Sequence, residues 1–252
     1  MVTINSNYAA SFAANAAKQT QNSLNSAMEK LSTGKRINFA KDDAAGSAIA
    51  MRLDAEISGL AVSARNASDG QALIDTADGA LKEAHSLLIR MRELAVQAQN
   101  GTLQTADKEA LGVEFDALEA EITRISDNTT WAGIKILDGT QKAGISFRVG
   151  TSENITHSIP DMAATGIGLL AAHSVAHAST ISAVDASIAK VSLERAQLGA
   201  ISNRLDSTVT NLDQIRVNLS ASKGRIEDAD FAVETGNLAK GQILQQAATA
   251  ML

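Results

Sequence analysis

Apolar residues return at every seventh position along two long stretches of this chain, with mostly polar and charged residues between them. The first line contains Leu53, Leu60, Ala67, Ile74, Leu81, Leu88 and Ala95, and the second contains Val184, Val191, Leu198, Leu205, Leu212, Leu219 and Ile226. A seven-residue apolar repeat is typical of helices that pack along a common seam, as in coiled coils. The pattern therefore predicts two long helices, from about Asp43 to Gln99 and from about Ala178 to Arg225, packed side by side.

Two shorter helical patterns accompany the long ones. The stretch from Tyr8 to Leu31 is rich in alanine, and Gly34 can end such a helix because glycine tolerates the left-handed backbone of a helix terminus. A third helix is predicted after the break at Asn100 and Gly101, and we expect it to double back on the second. Its apolar face consists of Leu111, Phe115, Leu118, Ile122 and Ile125.

The segment from Gly34 to Asp43 separates the first helix from the second. It contains the basic pair Lys35 and Arg36 and ends with Asp42 and Asp43. A carboxylate at the start of a helix accepts hydrogen bonds from free backbone N–H groups and faces the positive end of the helix dipole. We therefore expect one of the two aspartates to cap the second helix, and the segment to connect two separate helices.

After Asn128 the pattern alternates between apolar and polar residues. Ile134 and Ile136 precede Asp138 and Gly139, and a second alternating run follows at 145–149. Alternation on both sides of Asp-Gly predicts a β-hairpin that turns at these two residues, with residues 155–159 as a candidate further strand. The sequence thus predicts a mainly α fold, a long helical rod in which N- and C-terminal helices pack as in a coiled coil, with a small β-hairpin region.

Composition agrees with this fold and excludes several function classes. Of the 252 residues 45% are hydrophobic, 3% are aromatic and one is proline, which is typical of long packed helices. The net charge of -6 argues against binding to nucleic acid. No run of about 18 apolar residues is present, so we expect no membrane span. The N-terminus lacks the basic start and the continuous apolar stretch of a secretory signal, so we expect no cleaved signal. The chain has no cysteine, which excludes disulfides and thiolate metal sites.

Catalytic and metal-binding patterns are weak. His173 and His177 in "HSVAH" have the spacing that places two imidazoles on one helix face. The zinc-protease pattern requires glutamate after the first histidine, where this chain has Ser174, so surface histidines are favoured over a metal site. Asp42 and Asp43 fit helix caps better than an acid/base pair. No phosphate-binding loop or nucleophile elbow is found, and we expect a protein without cofactor that is not an enzyme.

Five stretches stand in order along the chain, namely "LSTGKRINFAKDDAAGSAIAMRL", "SARNASDGQALIDTADGAL", "IRMRELAVQAQNGT", "GAISNRLDSTVTNL" and "RIEDADFAVETGNLAKGQILQQAATAML". In this order they resemble the terminal regions of bacterial flagellins. The resemblance implies an exported, secreted subunit of the flagellar filament that self-assembles through its terminal helices. It also implies four regions, namely an N-terminal inner-core helix and spoke at 1–42, an outer-core part at 43–177, an outer-core helix at 178–227 and a C-terminal inner-core helix at 228–252.

Two departures from the flagellin pattern bear on assembly. Only about thirty residues separate Val149 from the predicted start of the last long helix near Ala178, which resembles a minimal flagellin without variable outer domains. Flagellins normally continue beyond a stretch like "QQAATAML", so we expect the last helix to be incomplete and the chain ending at Leu252 to polymerise inefficiently. The alternatives are a flagellin-like adhesin or polysaccharide-binding protein, which the low aromatic content disfavours, and a hook–filament junction protein.

The resemblance further implies partners and recognition residues. The partners are other copies of the chain, an export chaperone, filament cap and junction proteins, and host flagellin receptors. Residues matching the epitope sensed by plants are Gly34, Arg36, Ile37, Asn38, Lys41, Asp42, Asp43 and Gly46, with departures at Phe39 and Ser47. Arg90, Leu94 and Glu114 match the surface bound by the animal Toll-like flagellin receptor. The alternative is that these residues serve subunit packing only.

Overall fold

The computed structural model describes residues 7–150, 153–169, 175 and 178–251. The helices are α1 (Tyr8–Thr33), α2 (Ala44–Ala98), α3 (Thr105–Asn128), α4 (Ala164–Ile167), α5 (Ala178–Glu227) and α6 (Phe231–Met251). The strands are β1 (Thr130–Trp131), β2 (Ile134–Lys135), β3 (Ile145–Arg148) and β4 (Asn154–His157). The prediction of a mainly α chain with long packed helices and a small antiparallel β region is confirmed.

The chain divides into two compact units. Met1–Ser58 and Ile215–Leu252 form one, here called the terminal unit, and Gly59–Gln214 form the other, the central unit. The terminal unit contains α1, α6, the start of α2 and the end of α5. The central unit contains the rest of α2 and α5 together with α3, α4 and all four strands.

Most members of the two seven-residue apolar repeats lie in the core of the central unit. The members with at most 2% exposure are Ala67, Ile74, Leu81, Leu88, Ala95, Val184, Val191, Leu198 and Leu205. Phe115 and Ile122 of α3 join the same core at 1% exposure each. Leu212 is buried as well, and Leu60 is half-buried. In the terminal unit the repeat residues are more exposed to solvent, and Leu53, Leu219 and Ile226 are only half-buried.

The β region differs from the predicted hairpin. β1 pairs with β2 across a two-residue turn, in which Ala132 and Gly133 both have positive φ, 50° and 83°, as the favoured hairpin turns require. β3 pairs with β4, with Phe147 opposite Ile155. The chain therefore forms two short hairpins.

The predicted reversal at Asp138 and Gly139 is wrong. Oδ1 of Asp138 accepts hydrogen bonds from the backbone N–H of Thr140 at 3.0 Å and from its hydroxyl at 2.6 Å. These bonds lead the chain into a 3₁₀ turn at Thr140–Ala143, since a short polar side chain can fold the backbone locally in place of strand pairing. They also hold the pKa of the Asp138 carboxyl below its ordinary value.

Candidate assembly and recognition surfaces

The connector between α1 and α2 pairs with the connector between α5 and α6. The backbone N–H of Arg36 donates to the carbonyl oxygen of Glu227 at 2.6 Å, and that of Ala229 donates to the carbonyl oxygen of Gly34 at 2.9 Å. Both helix breaks of the terminal unit therefore lie side by side. The residue pattern predicted the first connector, whereas the second was expected only through the family resemblance, at the boundary between 227 and 228. The aspartate at position 230 before the last helix was a local capping signal for it.

Gly34 adopts the conformation that the sequence predicted for a helix end. Its φ is 71°, and its N–H donates to the carbonyl oxygen of Lys30 at 2.8 Å. Asp230 caps the start of α6, where its Oδ1 accepts a 2.9 Å hydrogen bond from the N–H of Ala232. The two connectors thus combine a left-handed glycine at one break with an aspartate cap at the other.

The two adjacent aspartates of the first connector have different roles. Asp42 closes the connector itself, since its Oδ2 accepts from the backbone N–H groups of Phe39 at 2.9 Å and Asn38 at 3.1 Å. These bonds, that from Phe39 foremost, lower the pKa of the Asp42 carboxyl. Asp43 caps α2, because its Oδ1 accepts from the N–H of Gly46 at 2.9 Å. Of the two cap candidates, Asp43 is the one that caps the helix.

Two residues of the plant-type epitope point into the terminal unit. Ile37 is 6% exposed, and Gly46 is buried beside it. A Cβ atom on Gly46 would lie 2.6 Å from Oδ2 of Asp43 and 2.8 Å from Cδ1 of Ile37. A side chain at this position would displace the Asp43 carboxyl or the end of Ile37, so close packing favours glycine here. Arg36 and Lys41 are exposed, so the epitope presents two cations at the protein surface.

The terminal helices α1 and α6 contact each other along a narrow strip. Leu24 is 6% exposed and faces Gly241, where a Cβ atom would lie 3.4 Å from Cβ of Leu24. Lys30 and Glu234 form an ion pair at 3.2 Å. Much of the remaining apolar surface of both helices is open. Its large exposed side chains are Tyr8 (75%), Phe12 (78%), Met28 (45%), Phe231 (58%), Val233 (56%), Ile243 (67%) and Leu244 (46%).

Arg90 and Glu114 meet on the surface of the central unit, and Leu94 does not join them. Nε and Nη2 of Arg90 donate to Oε1 of Glu114 at 2.9 and 2.8 Å, which shows that α3 doubles back along α2. Both side chains are about half exposed, at 50% and 45%. Leu94 is only 1% exposed, so the expected apolar surface contact is wrong. Its side chain belongs to the core because that face of α2 packs inward.

The described residues form neither a metal-binding cluster nor a membrane-spanning helix. His173 and His177 lie outside the described residues. Within the part of the chain that the structure describes, no group of three or more His, Asp or Glu side chains could hold a metal ion. None of the described helices is long and apolar enough to cross a membrane.

Comparison with known proteins gives the family. Residues 4–142 match the bacterial flagellin N-terminal helical region, and residues 181–252 match the bacterial flagellin C-terminal helical region. The chain is 44% identical to a flagellin of Halalkalibacterium halodurans, covering 90% of this chain and 85% of the relative. It is 39% identical to a flagellin of Bacillus subtilis, covering 99% and 94% respectively.

Solved structures agree with this assignment. Bacillus cereus flagellin is 30% identical with a TM-score of 0.53, covering 59% of this chain and 88% of that one. A putative flagellar hook-associated protein from Vibrio parahaemolyticus has a TM-score of 0.63 at 16% identity, covering 74% of this chain and all of that one. The second likeness shows a shared fold. Because both ends match the family in order, the chain belongs to the bacterial flagellins and is a structural subunit of the flagellar filament.

Proposed function

We propose that the chain assembles into filaments by burying the open apolar faces of α1 and α6 between copies. The observation that supports this is the exposure of large side chains on both helices, with Phe12 at 78% and Ile243 at 67%. Contiguous exposed apolar surface marks interaction sites in soluble proteins. Full burial of one such side chain contributes about 1.5–3 kcal/mol, so several per copy would drive association.

The same proposal accounts for a filament as the product. A contact between different surfaces of successive copies generates an open helical polymer when its rotation does not close into a ring. Faces on α1 and α6 belong to two separate helices and differ in sequence, which favours such a contact over a symmetric dimer. In this arrangement the regions 1–42 and 228–252 form the inner core, and 43–177 with 178–227 form the outer core.

Export precedes assembly in this proposal. The 252 residues contain no cysteine, so passage of an unfolded chain through a narrow channel requires no disulfide to be reduced or re-formed. An export chaperone would shield the apolar faces of α1 and α6 before assembly. Filament cap and hook-associated junction proteins would contact the same terminal helices at the filament ends. The role is structural, without a catalytic step.

We further propose that host receptors recognise the free subunit. Arg90 and Glu114 present a cation and an anion on one surface of the central unit, and Arg36 and Lys41 present cations in the connector. Charged side chains at half exposure are available for contacts in a monomer. Packing between copies would cover some of them, so the monomer would be recognised in preference to the filament.

Seeded growth tests the assembly proposal. Short flagellar filament fragments are mixed with the wild type, with Phe12→Ser or with Ile243→Ser, and elongation is followed by sedimentation and electron microscopy. We expect both variants to elongate seeds more slowly than the wild type. Ile134→Ser is the matched control, since Ile134 is 49% exposed but lies in the β1–β2 hairpin. Equal elongation by all four proteins would refute the proposal, and a monomer that binds glycans would favour an adhesin.

A further inference from the structure

The apolar seam between α2 and α5 in the central unit does not by itself define how far one helix is shifted along the other. Leu81, Leu88, Val191 and Leu198 are buried to 1% exposure or less and belong to uninterrupted seven-residue repeats. Sliding one helix by seven residues moves it by about 10 Å and again places apolar residues opposite each other. Burial of these lines alone would therefore permit several registers.

A second buried line on each helix is not uniform. On α2 it consists of Ser63, Gly70, Ala77, Ala84, Met91 and Ala98, and on α5 of Thr180, Ser187 and Glu194. These residues also recur every seven positions, but they differ in size on α2 and in polarity on α5. A shift by seven residues would thus place each residue of this line against a neighbour of different size or polarity.

The β3 strand contacts the second line of α2 at its smallest residue. Phe147 is 8% exposed and lies over Gly70, where a Cβ atom would come within 2.7 Å of Cδ1 of the ring. The positions seven residues away are Ser63 and Ala77, and both carry a Cβ atom. The aromatic ring therefore fits over α2 at Gly70 and not one repeat earlier or later.

The β4 strand contacts the second line of α5 at its acidic residue. Nε2 of His157 and Oε1 of Glu194 are 2.9 Å apart, and the two side chains are 11% and 5% exposed. Ser187 and Ile201 lie seven residues away on either side. A shift would leave both the carboxylate and the imidazole buried without each other, which is costly.

We propose that the β3–β4 hairpin sets the register of α2 against α5. Its strands pair with Ile145 opposite His157 and with Phe147 opposite Ile155, so the Phe147 and His157 contacts are held at a fixed spacing. Phe147 on β3 selects Gly70 on α2, and His157 on β4 selects Glu194 on α5. Helices that could slide along a uniform seam are thereby fixed in one alignment.

Other contacts also depend on register and offer the competing explanation. Asp78 pairs with Arg195 at 2.7 Å, and Arg92 pairs with Asp185 at 2.6 Å. All four side chains are 32–50% exposed, and exposed ion pairs contribute little to stability. Lys190 donates a further 2.8 Å hydrogen bond to the carbonyl oxygen of Ile167, which fastens α5 to α4 but does not involve α2.

Spin-label distances test the proposal, because the chain has no cysteine of its own. Lys82→Cys and Asp206→Cys place labels on exposed positions of α2 and α5 that are offset along the helix axis. We expect a single distance in this labelled background. A seven-residue shift would move one label by about 10 Å along the other helix and produce a second, resolved distance.

Two sets of substitutions are made in the labelled background. The exchange Gly70→Ala with Ala77→Gly moves the glycine by one repeat, and His157→Ala with Glu194→Ala removes the buried pair without leaving a lone charge. In each of these two variants we expect a second spin-label distance beside the native one. Gly79→Ala is the matched control, since a Cβ atom there meets nothing within 4 Å, and it should keep the single distance.

A folded glycine exchange that keeps a single native distance would overturn the role of Phe147. A folded His157→Ala and Glu194→Ala variant that keeps a single native distance would overturn the role of that contact. If both variants keep the single distance, the exposed ion pairs set the register. Circular dichroism establishes whether each variant is folded. If the glycine exchange does not fold, the double variant His157→Ala with Glu194→Ala decides the proposal.

Discussion

Nη2 of Arg36 donates a 2.7 Å hydrogen bond to the carbonyl oxygen of Ile226. Ile226 lies in the last turn of α5, where carbonyl groups lack partners within the helix and the dipole is negative. A cation from the first connector thus satisfies the end of a helix more than 180 residues later in the sequence. Lys35 adds an ion pair with Glu227 at 3.2 Å. Changes in this connector should therefore affect the whole terminal unit.

Gly46→Ala is expected to destabilise the protein. The added Cβ atom would lie within 2.9 Å of Ile37 and of the Asp43 carboxyl that caps α2, and loss of a helix cap costs about 1 kcal/mol. Thermal and denaturant unfolding give the change. Gly59→Ala in the same helix is the matched control, because its Cβ atom meets nothing within 4 Å. It should stabilise the protein by about 0.5–1 kcal/mol, and equal effects of the two substitutions would contradict the close packing at Gly46.

Acid should weaken the first connector through Asp42. Hydrogen bonds from Phe39 and Asn38 lower the pKa of this carboxyl in the folded state, so its contribution is present above its ordinary pKa of about 4. That contribution is lost as the pH falls through the lowered folded value. Asp42→Ser keeps an acceptor that does not titrate.

The measurement for Asp42 is the thermal midpoint of both proteins across the acid range. We expect the wild type to be the more stable at neutral pH, and the difference to narrow as the pH falls from the ordinary pKa through the lowered one. A difference that stays constant from neutral to strongly acidic pH would show that the Asp42 carboxylate does not stabilise the fold.

The helices could be predicted from sequence because their signals are local and repeated. Leu88 and Val191 repeat every seven residues and are buried, and Gly34 ends α1 with positive φ. The hairpins could not be placed, and a turn was wrongly predicted at Asp138, since the side-chain bonds to Thr140 compete with strand pairing at that point. Long-range partners such as Glu194 for His157 carry no spacing signal, because their proximity is created only by the fold.

Leu94 shows a different limit of sequence reasoning. Its spacing of four from Arg90 correctly placed the two residues on neighbouring turns, but the boundary of the buried face lies between them. Arg90 is half exposed and Leu94 is 1% exposed. The place of that boundary decides whether a side chain is available to a partner, and it is set by tertiary packing and not by helical spacing alone.

Leu205→Asp is expected to lower the free energy of unfolding by about 3–5 kcal/mol, because it places an unpaired charge at a fully buried position. Asn203→Asp introduces the same charge at an exposed position of the same helix and should change the free energy little. Thermal unfolding of the two variants provides the comparison. An unchanged midpoint for Leu205→Asp would mean that α5 does not pack through this repeat.

Arg90→Ala should weaken binding of the monomer to the animal Toll-like flagellin receptor by about 1 kcal/mol or more. Its effect on stability should be small, since the pair with Glu114 is half exposed. Leu94→Ala should instead destabilise the core by about 2–5 kcal/mol, because this side chain is 1% exposed. The wild-type filament should bind the receptor less than the wild-type monomer.

Arg124→Ala is the control for receptor binding. Arg124 is also exposed and paired, with Glu121 at 2.6 Å on α3. We expect it to leave the affinity unchanged while Arg90→Ala reduces it. Equal affinities of the wild type, Arg90→Ala and Arg124→Ala would remove Arg90 from the receptor surface, and failure of the wild type to bind would restrict Arg90 to packing.

The central claim is that the open faces of α1 and α6 become buried between copies. Electron microscopy of filaments grown from the wild-type chain on flagellar seeds, at a resolution that traces side chains, tests it most directly. We predict helical filaments in which Phe12 and Ile243, at 78% and 67% exposure in the single chain, are covered by neighbouring copies. Filaments in which both side chains remain exposed, or a protein that stays monomeric under polymerising conditions, would contradict this account.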